Sequence, residues 1–177
     1  MDEFLALSYY RERQLPVVIV RFFNTVGPRQ VGMYGMVLPR FVQAALSGSP
    51  IRIYGDGEQS RCFGWVGDVV NALVQLGNLR EAEGGIFNIG SDEEVTINQL
   101  AAIVKSVTNS DSPIEHVSYE EAYGNNFEDM RRRVPDLGRI RGLLGYAPSK
   151  TLVDIVQSVA NYYQIVTHQV ADLVPAD

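Results

Sequence analysis

The stretch PIRIYGDGEQSRCFGWVGD, residues 50–68, carries the strongest local signals in this sequence. Two strand-like runs, Ile51–Tyr54 and residues 62–66, flank a Gly-Asp-Gly turn. Because Asp-Gly between alternating apolar residues is typical of a β-hairpin, we predict that these two strands pair with each other. Asp68 stands at the N-cap position of a helix predicted over residues 69–79.

Two arginines, Arg52 and Arg61, bracket that turn. A guanidinium group donates two parallel hydrogen bonds, so an arginine held on a strand beside a polar loop suits a phosphate. The alternative is a surface hairpin whose arginines pair with Glu58 or with solvent. Spacing alone leaves both interpretations open.

Strands and helices alternate along the rest of the chain, which indicates the α/β class. The β-branched run at residues 17–20 is typical of a strand buried on both faces. A glycine-rich loop with Gly32 and Gly35 follows, and residues 120–129 are predicted to form an acidic, exposed loop. Further strands are predicted at residues 86–89 and 114–117, and helices at residues 1–14, 37–46, 69–79, 96–107, 136–144 and 152–168.

Composition describes an ordinary globular chain of 177 residues, with 46% hydrophobic and 20% charged residues. The net charge of −6 and the absence of a basic block argue against nucleic acid as a partner. No apolar run has the length of a membrane span, and no basic signal-peptide start precedes Phe4. Cys62 is the single cysteine, which favours a reducing cytoplasm, and His116 and His168 lack partners at metal-ligand spacing.

Four motifs in order carry a family resemblance: residues 50–68, RFFNTVGPR at 21–29, FNIGS at 87–91 and RVPD at 133–136. Together they resemble the NAD-dependent sugar-nucleotide epimerase/dehydratase family, the extended short-chain dehydrogenases, and most of all UDP-glucose 4-epimerases and UDP-glucuronate decarboxylases. The resemblance implies a partial Rossmann-type sheet plus a small α/β substrate-binding domain. Residues 1–30 would be a remnant of the Rossmann half with the helix of a homodimer, and residues 31–177 mostly the sugar-nucleotide-binding region. Within that region, residues 69–90 would return to the Rossmann sheet.

The same resemblance implies a UDP-sugar site. Arg61 and Arg133 match arginines that hold the diphosphate, and Asn24 matches an asparagine that contacts it. The resemblance places Gln59, Ile51 and Tyr54 near the base and ribose, Leu38 on the base-side helix, and Asp136 beside the ribose or Arg133.

Residue chemistry leaves alternatives to some of these roles. Asn24 equally fits a turn residue that caps its own loop. Asp136 equally fits a helix cap. The neighbours Arg131 and Arg132 make a run of three arginines, and such a run is more often a solvated face than a ligand site.

The resemblance also implies that no catalytic or cofactor-binding residue lies in this sequence, since the catalytic Tyr-x-x-x-Lys of the family precedes the point where it begins. Tyr146 and Lys150 match that motif by letter, but Pro148 disfavours the helical turn that must bring the two side chains together. The glycines at 138, 142 and 145 lack the spacing and preceding strand of a dinucleotide fingerprint.

Three hypotheses follow. The chain is the UDP-sugar-binding portion of an NAD-dependent epimerase, dehydratase or decarboxylase and is inactive alone; NAD belongs to the intact parent family. Alternatively, it is an enzyme that uses Tyr146 and Lys150, or a noncatalytic oligomerisation module. We further expect apolar edges and faces at residues 17–22 and 86–89 to be uncovered, and the chain to self-associate.

Overall fold

The computed structural model describes residues 1–32, 36–124 and 129–171, with the backbone alone at residues 123 and 167–171. Within these residues the helices are α1 Asp2–Arg13, α2 Val37–Leu46, α3 Val66–Asn78, α4 Ile97–Thr108, α5 Tyr119–Tyr123, α6 Gly138–Leu144 and α7 Leu152–Ala171. The strands are β1 Ile19–Phe22, β2 Thr25–Val26, β3 Ile51–Tyr54, β4 Ser60–Cys62, β5 Gly64–Trp65, β6 Ile86–Ile89, β7 Glu94–Thr96, β8 Ile114–Val117 and β9 Arg132–Arg133. The predicted α/β class is confirmed.

The chain forms two compact units. The first contains residues 1–25, 62–93 and 134–149, and the second contains residues 26–61, 94–133 and 150–177.

In the first unit, β1 and β6 form a parallel pair in which Ile19 lies opposite Ile86. The buried core is made by one face of α3, by β6, by the short 3₁₀ helix after α3 and by α6; its members are Val69, Ala72, Leu76, Ala82, Phe87, Ile89, Leu137 and Ile140. The prediction that the first strand is buried on both faces is wrong. Ile19 and Val20 are half-buried, Phe22 is 46% exposed, and within the described part of the chain β1 pairs with β6 alone.

The helix predicted over residues 69–79, with Asp68 as its N-cap, begins earlier, at Val66, with Trp65 as its N-cap. Asp68 therefore lies in the first turn of α3, where a carboxylate interacts favourably with the helix dipole. Its side chain accepts hydrogen bonds from the backbone and hydroxyl of Ser149. The predicted N-cap role is thus wrong, and Asp68 instead fixes the segment that follows α6.

The second unit packs helices α2, α4 and α7 against one another and against the β3–β8 pair. The strands β3 and β8 are parallel, with Ile51 opposite Ile114. A capping box starts α4, because the Thr96 side chain accepts from the Gln99 backbone and the Gln99 side chain accepts from the Thr96 backbone. Thr96 is therefore the N-cap of α4.

The predicted hairpin is wrong. β3 pairs with β8, whereas β4 lies between β7 and β9 in a separate sheet. A two-residue Asp-Gly hairpin turn needs positive φ at both residues. Here Gly55 and Gly57 have φ values of +75° and +74°, but Asp56 between them is not among the positive-φ residues. The turn therefore sends the chain to another sheet.

The acidic segment predicted as an exposed loop is partly helical. Ser118 caps α5 by accepting a hydrogen bond from the Glu121 backbone. Residues 125–128 of that segment, and Gly35 of the predicted glycine-rich loop, lie outside the described residues.

Candidate functional site

The two arginines predicted to hold a diphosphate lie side by side in the second unit. β4 and β9 are parallel neighbours, with Ser60 opposite Arg132 and Arg61 opposite Arg133. Successive side chains of a strand point to opposite faces, and residues opposite each other share a face. Arg61 and Arg133 therefore lie on one face of the β7–β4–β9 sheet, called here the Arg61 face.

The other surface, called here the Glu94 face, carries Ser60, Arg132 and Glu94. The Arg132 guanidinium binds Glu94 through two nitrogens, with Nε 2.9 Å from Oε1 and Nη2 2.9 Å from Oε2. Ser60 donates to the same carboxylate. The hydrogen bonds from Arg132 and then Ser60 hold the pKa of Glu94 below its usual value.

The three consecutive arginines, residues 131–133, therefore have different surroundings in the structure. Arg131 binds Asp56, with Nη1 2.6 Å from Oδ2, and this bond lowers the pKa of Asp56. Arg132 binds Glu94 on the other face. Arg133 alone of the three lies opposite Arg61 in the strand register. Charge and spacing alone offered no basis for choosing among them, and only the motif resemblance had singled out Arg133.

Arg61 lies in a network of hydrogen bonds. Its Nη2 lies 2.6 Å from Asp129 Oδ1, and its Nη1 donates to the Ser60 carbonyl oxygen at 2.7 Å. The other Asp129 oxygen accepts from the Tyr119 hydroxyl at 3.0 Å. That hydroxyl accepts from Gln59 Nε2 at 2.9 Å. We call Arg61, Asp129, Tyr119 and Gln59 the Asp129 network.

Two features of the network bear on its rigidity. Burial, followed by the hydrogen bond to Asp129, raises the pKa of Tyr119 to about 12, so its hydroxyl keeps its proton at neutral pH. Tyr119 packs against Gly55, where an added Cβ would lie 2.5 Å from its ring carbon Cε2. Gly55 is therefore required both by its positive φ and by this close approach.

Gln59 joins the network to the end of β3. Its Nε2 also donates to the Tyr54 carbonyl oxygen at 2.9 Å, and the residue is only 5% exposed. Its Oε1 is buried and has no hydrogen-bond partner among the described residues. Because an unpaired buried acceptor costs free energy, a rearrangement that supplies a donor to Gln59 would be favourable.

Arg40 of α2 covers Tyr54. Its guanidinium carbon lies 4.6 Å from the centre of the Tyr54 ring, and its Nη2 donates to the Tyr54 hydroxyl at 2.7 Å. The predicted base-side residues Leu38 and Ile51 have buried side chains in the core of this unit. A ligand would therefore contact the backbone groups of Leu38 and Ile51 and not their side chains. The predicted roles of Leu38, Ile51 and Tyr54 in binding the base and ribose stay predictions.

Asn24 belongs to the first unit, directly after β1. Its φ is +36°, its Nδ2 donates to the Cys62 carbonyl oxygen at 2.8 Å, and its own carbonyl oxygen accepts from the Gly64 backbone. These contacts fit a turn residue that fixes the chain at β4 and β5. The predicted diphosphate contact through Asn24 stays a prediction.

Asp136, also in the first unit, accepts a hydrogen bond from the Gly138 backbone at 2.8 Å. Its carbonyl oxygen accepts from the Asn88 side chain. The carboxylate thus binds the first residue of α6 from one position before the N-cap, Leu137, so Asp136 supports the start of that helix without being its N-cap. A ribose contact stays a prediction.

Tyr146 and Lys150 lie outside the described helices. Residues 145–151 contain no helix, so the two side chains are not stacked by one helical turn. The Tyr146 hydroxyl donates to the Gly90 carbonyl oxygen at 2.7 Å, and burial raises its pKa to about 12. A catalytic tyrosine of this kind needs a lowered pKa. The Lys150 ammonium donates to Ser158 instead.

The glycines at 138, 142 and 145 do not form a dinucleotide fingerprint. Gly138 and Gly142 lie within α6, and Gly145, with φ of +64°, ends that helix. The two-residue strand β9 does precede α6, but the glycines lie inside that helix and at its end and not in the turn before it, so they do not form the glycine-rich turn that binds a pyrophosphate. The described residues also contain no group of three or more metal-ligating side chains. None of the described helices is long and apolar enough to cross a membrane.

Sequence reasoning missed three residues of this region: Arg40, Tyr119 and Asp129. Asp129 was assigned to an acidic, exposed loop. Its position just before the three arginines could have indicated that its carboxylate pairs with an arginine. Tyr119 carried no signal, because only the pairing of β3 with β8 brings it to Gly55.

Comparison with known proteins defines first the class and then the family. The fold matches Rossmann-type extended short-chain dehydrogenases. An epimerase from Methanothermobacter thermautotrophicus superposes with a TM-score of 0.86 and 26% identity, covering 96% of this chain and 49% of that one. UDP-glucose 4-epimerase with UDP-glucose from Thermotoga maritima superposes with a TM-score of 0.83 and 28% identity, covering 93% of this chain and 51% of that one.

The model of the NAD dependent epimerase/dehydratase family matches residues 2–90, and the chain belongs to that family. UDP-N-acetyl-alpha-D-glucosaminuronate decarboxylase from Bacillus cytotoxicus is 40% identical over 150 residues, which cover 84% of this chain and 46% of that protein. The chain spans less than half the length of the first curated relatives that it matches. The resemblance inferred from the four motifs is thereby confirmed.

Proposed function

We propose that this chain binds the diphosphate of a UDP-sugar through Arg61 and Arg133, as the sugar-nucleotide-binding portion of an NAD-dependent epimerase, dehydratase or decarboxylase. The observation that supports the proposal is the strand register that places the two guanidinium-bearing residues opposite each other. A diphosphate offers oxygens to both arginines, and each charge-assisted hydrogen bond contributes roughly 1.5–3 kcal/mol. The names of relatives supply the ligand class: UDP-sugars in a decarboxylase and an epimerase.

The remaining predicted contacts belong to the same proposal. Tyr54, under Arg40, and the backbone near Leu38 and Ile51 would receive the base and ribose, and Gln59 would hold the end of β3 in place. The roles of Asn24 and Asp136, which belong to the first unit, rest on the family resemblance alone.

Calorimetric titration with UDP, a UDP-sugar and NAD tests the proposal. We expect heat with UDP from the wild-type chain and at least tenfold weaker binding by Arg133→Ala. The matched control is Arg132→Ala, on the Glu94 face of the same strand, with affinity within about twofold of wild type. The absence of heat when UDP is titrated into the wild-type chain, or an equal loss of UDP affinity in Arg133→Ala and Arg132→Ala, would contradict the proposal.

As part of the same proposal, the chain alone does not turn over a sugar nucleotide. The support is the separation of Tyr146 and Lys150 into different hydrogen bonds outside any helix. Heat with NAD, or UDP-sugar turnover abolished by Tyr146→Phe, would overturn this part and favour an independent enzyme. A reducing, cytoplasmic setting is also proposed, because the single cysteine, Cys62, is buried within β4.

A second candidate function, an oligomerisation module, is favoured by α1. This helix has no buried residue, and Phe4, Leu5 and Tyr9 are 82%, 58% and 49% exposed. We propose that α1 supports a homo-oligomer through these side chains. Light scattering should give a mass above that of one chain, and Phe4→Ser with Leu5→Ser should return it to the monomer value. A monomeric wild type at micromolar concentration would exclude this role.

A further inference from the structure

The proposed phosphate-binding arginine already holds an internal anion. Arg61 Nη2 lies 2.6 Å from Asp129 Oδ1, and the two side chains are 13% and 28% exposed. In each of the other ion pairs found among the described residues, both side chains are at least 32% exposed. Water therefore screens the Arg61–Asp129 pair less than the others.

Asp129 is fixed in this position from a second direction. Its Oδ2 accepts the Tyr119 hydroxyl, and Tyr119 is in turn held by Gln59 and by its packing on Gly55. A carboxylate held at both oxygens is an organised partner for a guanidinium and not a passing surface contact.

Carboxylate and phosphate compete for the same donors, because a guanidinium recognises both through planar, paired N–H groups. A nucleotide that takes Nη2 of Arg61 must therefore displace Asp129. Breaking the Arg61–Asp129 interaction costs free energy, and this cost reduces the free energy of ligand binding. The apparent affinity is then the intrinsic affinity multiplied by the fraction of molecules in which Arg61 is available.

We propose that Asp129 is a placeholder for the phosphate: it occupies the donors of Arg61 in the ligand-free chain and sets the affinity of the site for nucleotide diphosphates. This inference rests on the proposed function and adds to it a residue that tunes ligand affinity. The bond from Tyr119 keeps Asp129 near the site, and its release is coupled to Gln59, whose buried Oε1 lacks a partner among the described residues.

The test is calorimetric titration of UDP and of inorganic pyrophosphate into the wild-type chain and Asp129→Asn. We expect Asp129→Asn to bind both ligands about tenfold more tightly, which corresponds to about 1.4 kcal/mol. The factor should be the same for the two ligands, because the competing anion is removed before either binds. In the absence of ligand, the thermal midpoint of Asp129→Asn should be lower than that of the wild type.

Glu94→Gln is the matched control. It makes the same change in net charge and removes the arginine partner on the Glu94 face, so its UDP affinity should stay within about twofold. Combining Asp129→Asn with Arg61→Ala should abolish the gain, as a double-mutant cycle requires for two residues acting on each other. If Asp129→Asn does not fold, Tyr119→Phe, which removes the second bond to Asp129, should give a smaller gain in the same direction.

The outcomes separate the two proposals. UDP binding that depends on Arg61 but weakens or stays unchanged in Asp129→Asn overturns the placeholder and makes Asp129 a support for Arg61. An equal gain in Glu94→Gln overturns it as well, by showing a general effect of charge. UDP binding that does not depend on Arg61, or no binding by any variant, overturns the proposed function and the placeholder together.

Discussion

The two faces of the β7–β4–β9 sheet use the same chemistry in different surroundings. On the Glu94 face, Arg132 binds a carboxylate, and the two side chains are 68% and 32% exposed. On the Arg61 face, the corresponding pair is 13% and 28% exposed, and its carboxylate also accepts from a half-buried tyrosine, Tyr119. The presence of an arginine–carboxylate pair therefore does not by itself indicate an effect on ligand binding. The burial of the pair and the further hydrogen bonds of its carboxylate decide whether it can influence a ligand.

Removing the arginine from each face should give the largest contrast. Arg61→Ala leaves Asp129 partly buried without its cation, and we expect a loss of about 2 kcal/mol, less than for a fully buried pair because Asp129 retains contact with water. Arg132→Ala should leave the free energy of unfolding nearly unchanged, because its pair is exposed to solvent. Urea unfolding measures both, and equal losses would break the comparison.

A second contrast concerns the glycine beneath Tyr119. Gly55 and Gly48 have similar positive φ values, +75° and +69°, but an added Cβ meets Tyr119 at Gly55 and nothing within 4 Å at Gly48. Gly48→Ala should cost about 1–2 kcal/mol for the left-handed backbone alone.

Gly55→Ala should cost about 1 kcal/mol more than Gly48→Ala, since Tyr119 must move away from the added carbon. It should also change UDP affinity, which Gly48→Ala should not. Thermal unfolding and titration of both variants decide this. Equal losses of stability in Gly55→Ala and Gly48→Ala would show that Tyr119 moves away from the added carbon at no cost in free energy.

A smaller effect is expected at alkaline pH. Because the pKa of Tyr119 is raised to about 12 in the fold, the unfolded chain loses this proton first, at about pH 10. The contribution of Tyr119 to stability is therefore present below pH 10 and is lost between about pH 10 and 12. Tyr119→Phe should make the decline of the unfolding free energy less steep, with the decline due to Tyr146 remaining. An unchanged slope would mean that Tyr119 ionises normally.

The smallest effect is expected at acid pH on the Glu94 face. The pKa of Glu94 lies below its ordinary 4.5 in the fold, so its contribution is present above that pH and is lost as the pH falls through the lowered value. Glu94→Gln should slightly reduce the loss of stability below about pH 4.5. Denaturant midpoints from pH 6 to 3 measure the effect, and a greater loss in the variant would contradict it.

Much of the local structure was predictable. The capping box at Thr96 and Gln99 and the apolar periodicity of α2 act within one turn or one helix, so they can be recognised without tertiary contacts. The β4–β9 pairing joins residues more than seventy positions apart, and no local pattern specifies it. The hairpin prediction failed for the same reason, because β3 found a better partner in β8 than in its neighbour along the chain.

The candidate site divides in the same way. Arg61 and Arg133 were identified by motif resemblance, which carries information from long-range contacts indirectly. Asp129 and Tyr119 have no such motif, and their importance depends on where the turn at Gly55 places them. The boundary between Rossmann-derived and substrate-binding residues stays a prediction.

By itself, the sequence determined the α/β class, most helices and strands and the family, and it singled out the two arginines as a prediction, because periodicity, capping and ordered motifs are properties of the chain alone. Only the tertiary structure decided which arginine of three lies opposite Arg61 and which carboxylate occupies its donors. The physical reason is that strand register and burial arise from contacts between distant segments, and the strength of a charge pair depends on the water that those contacts exclude.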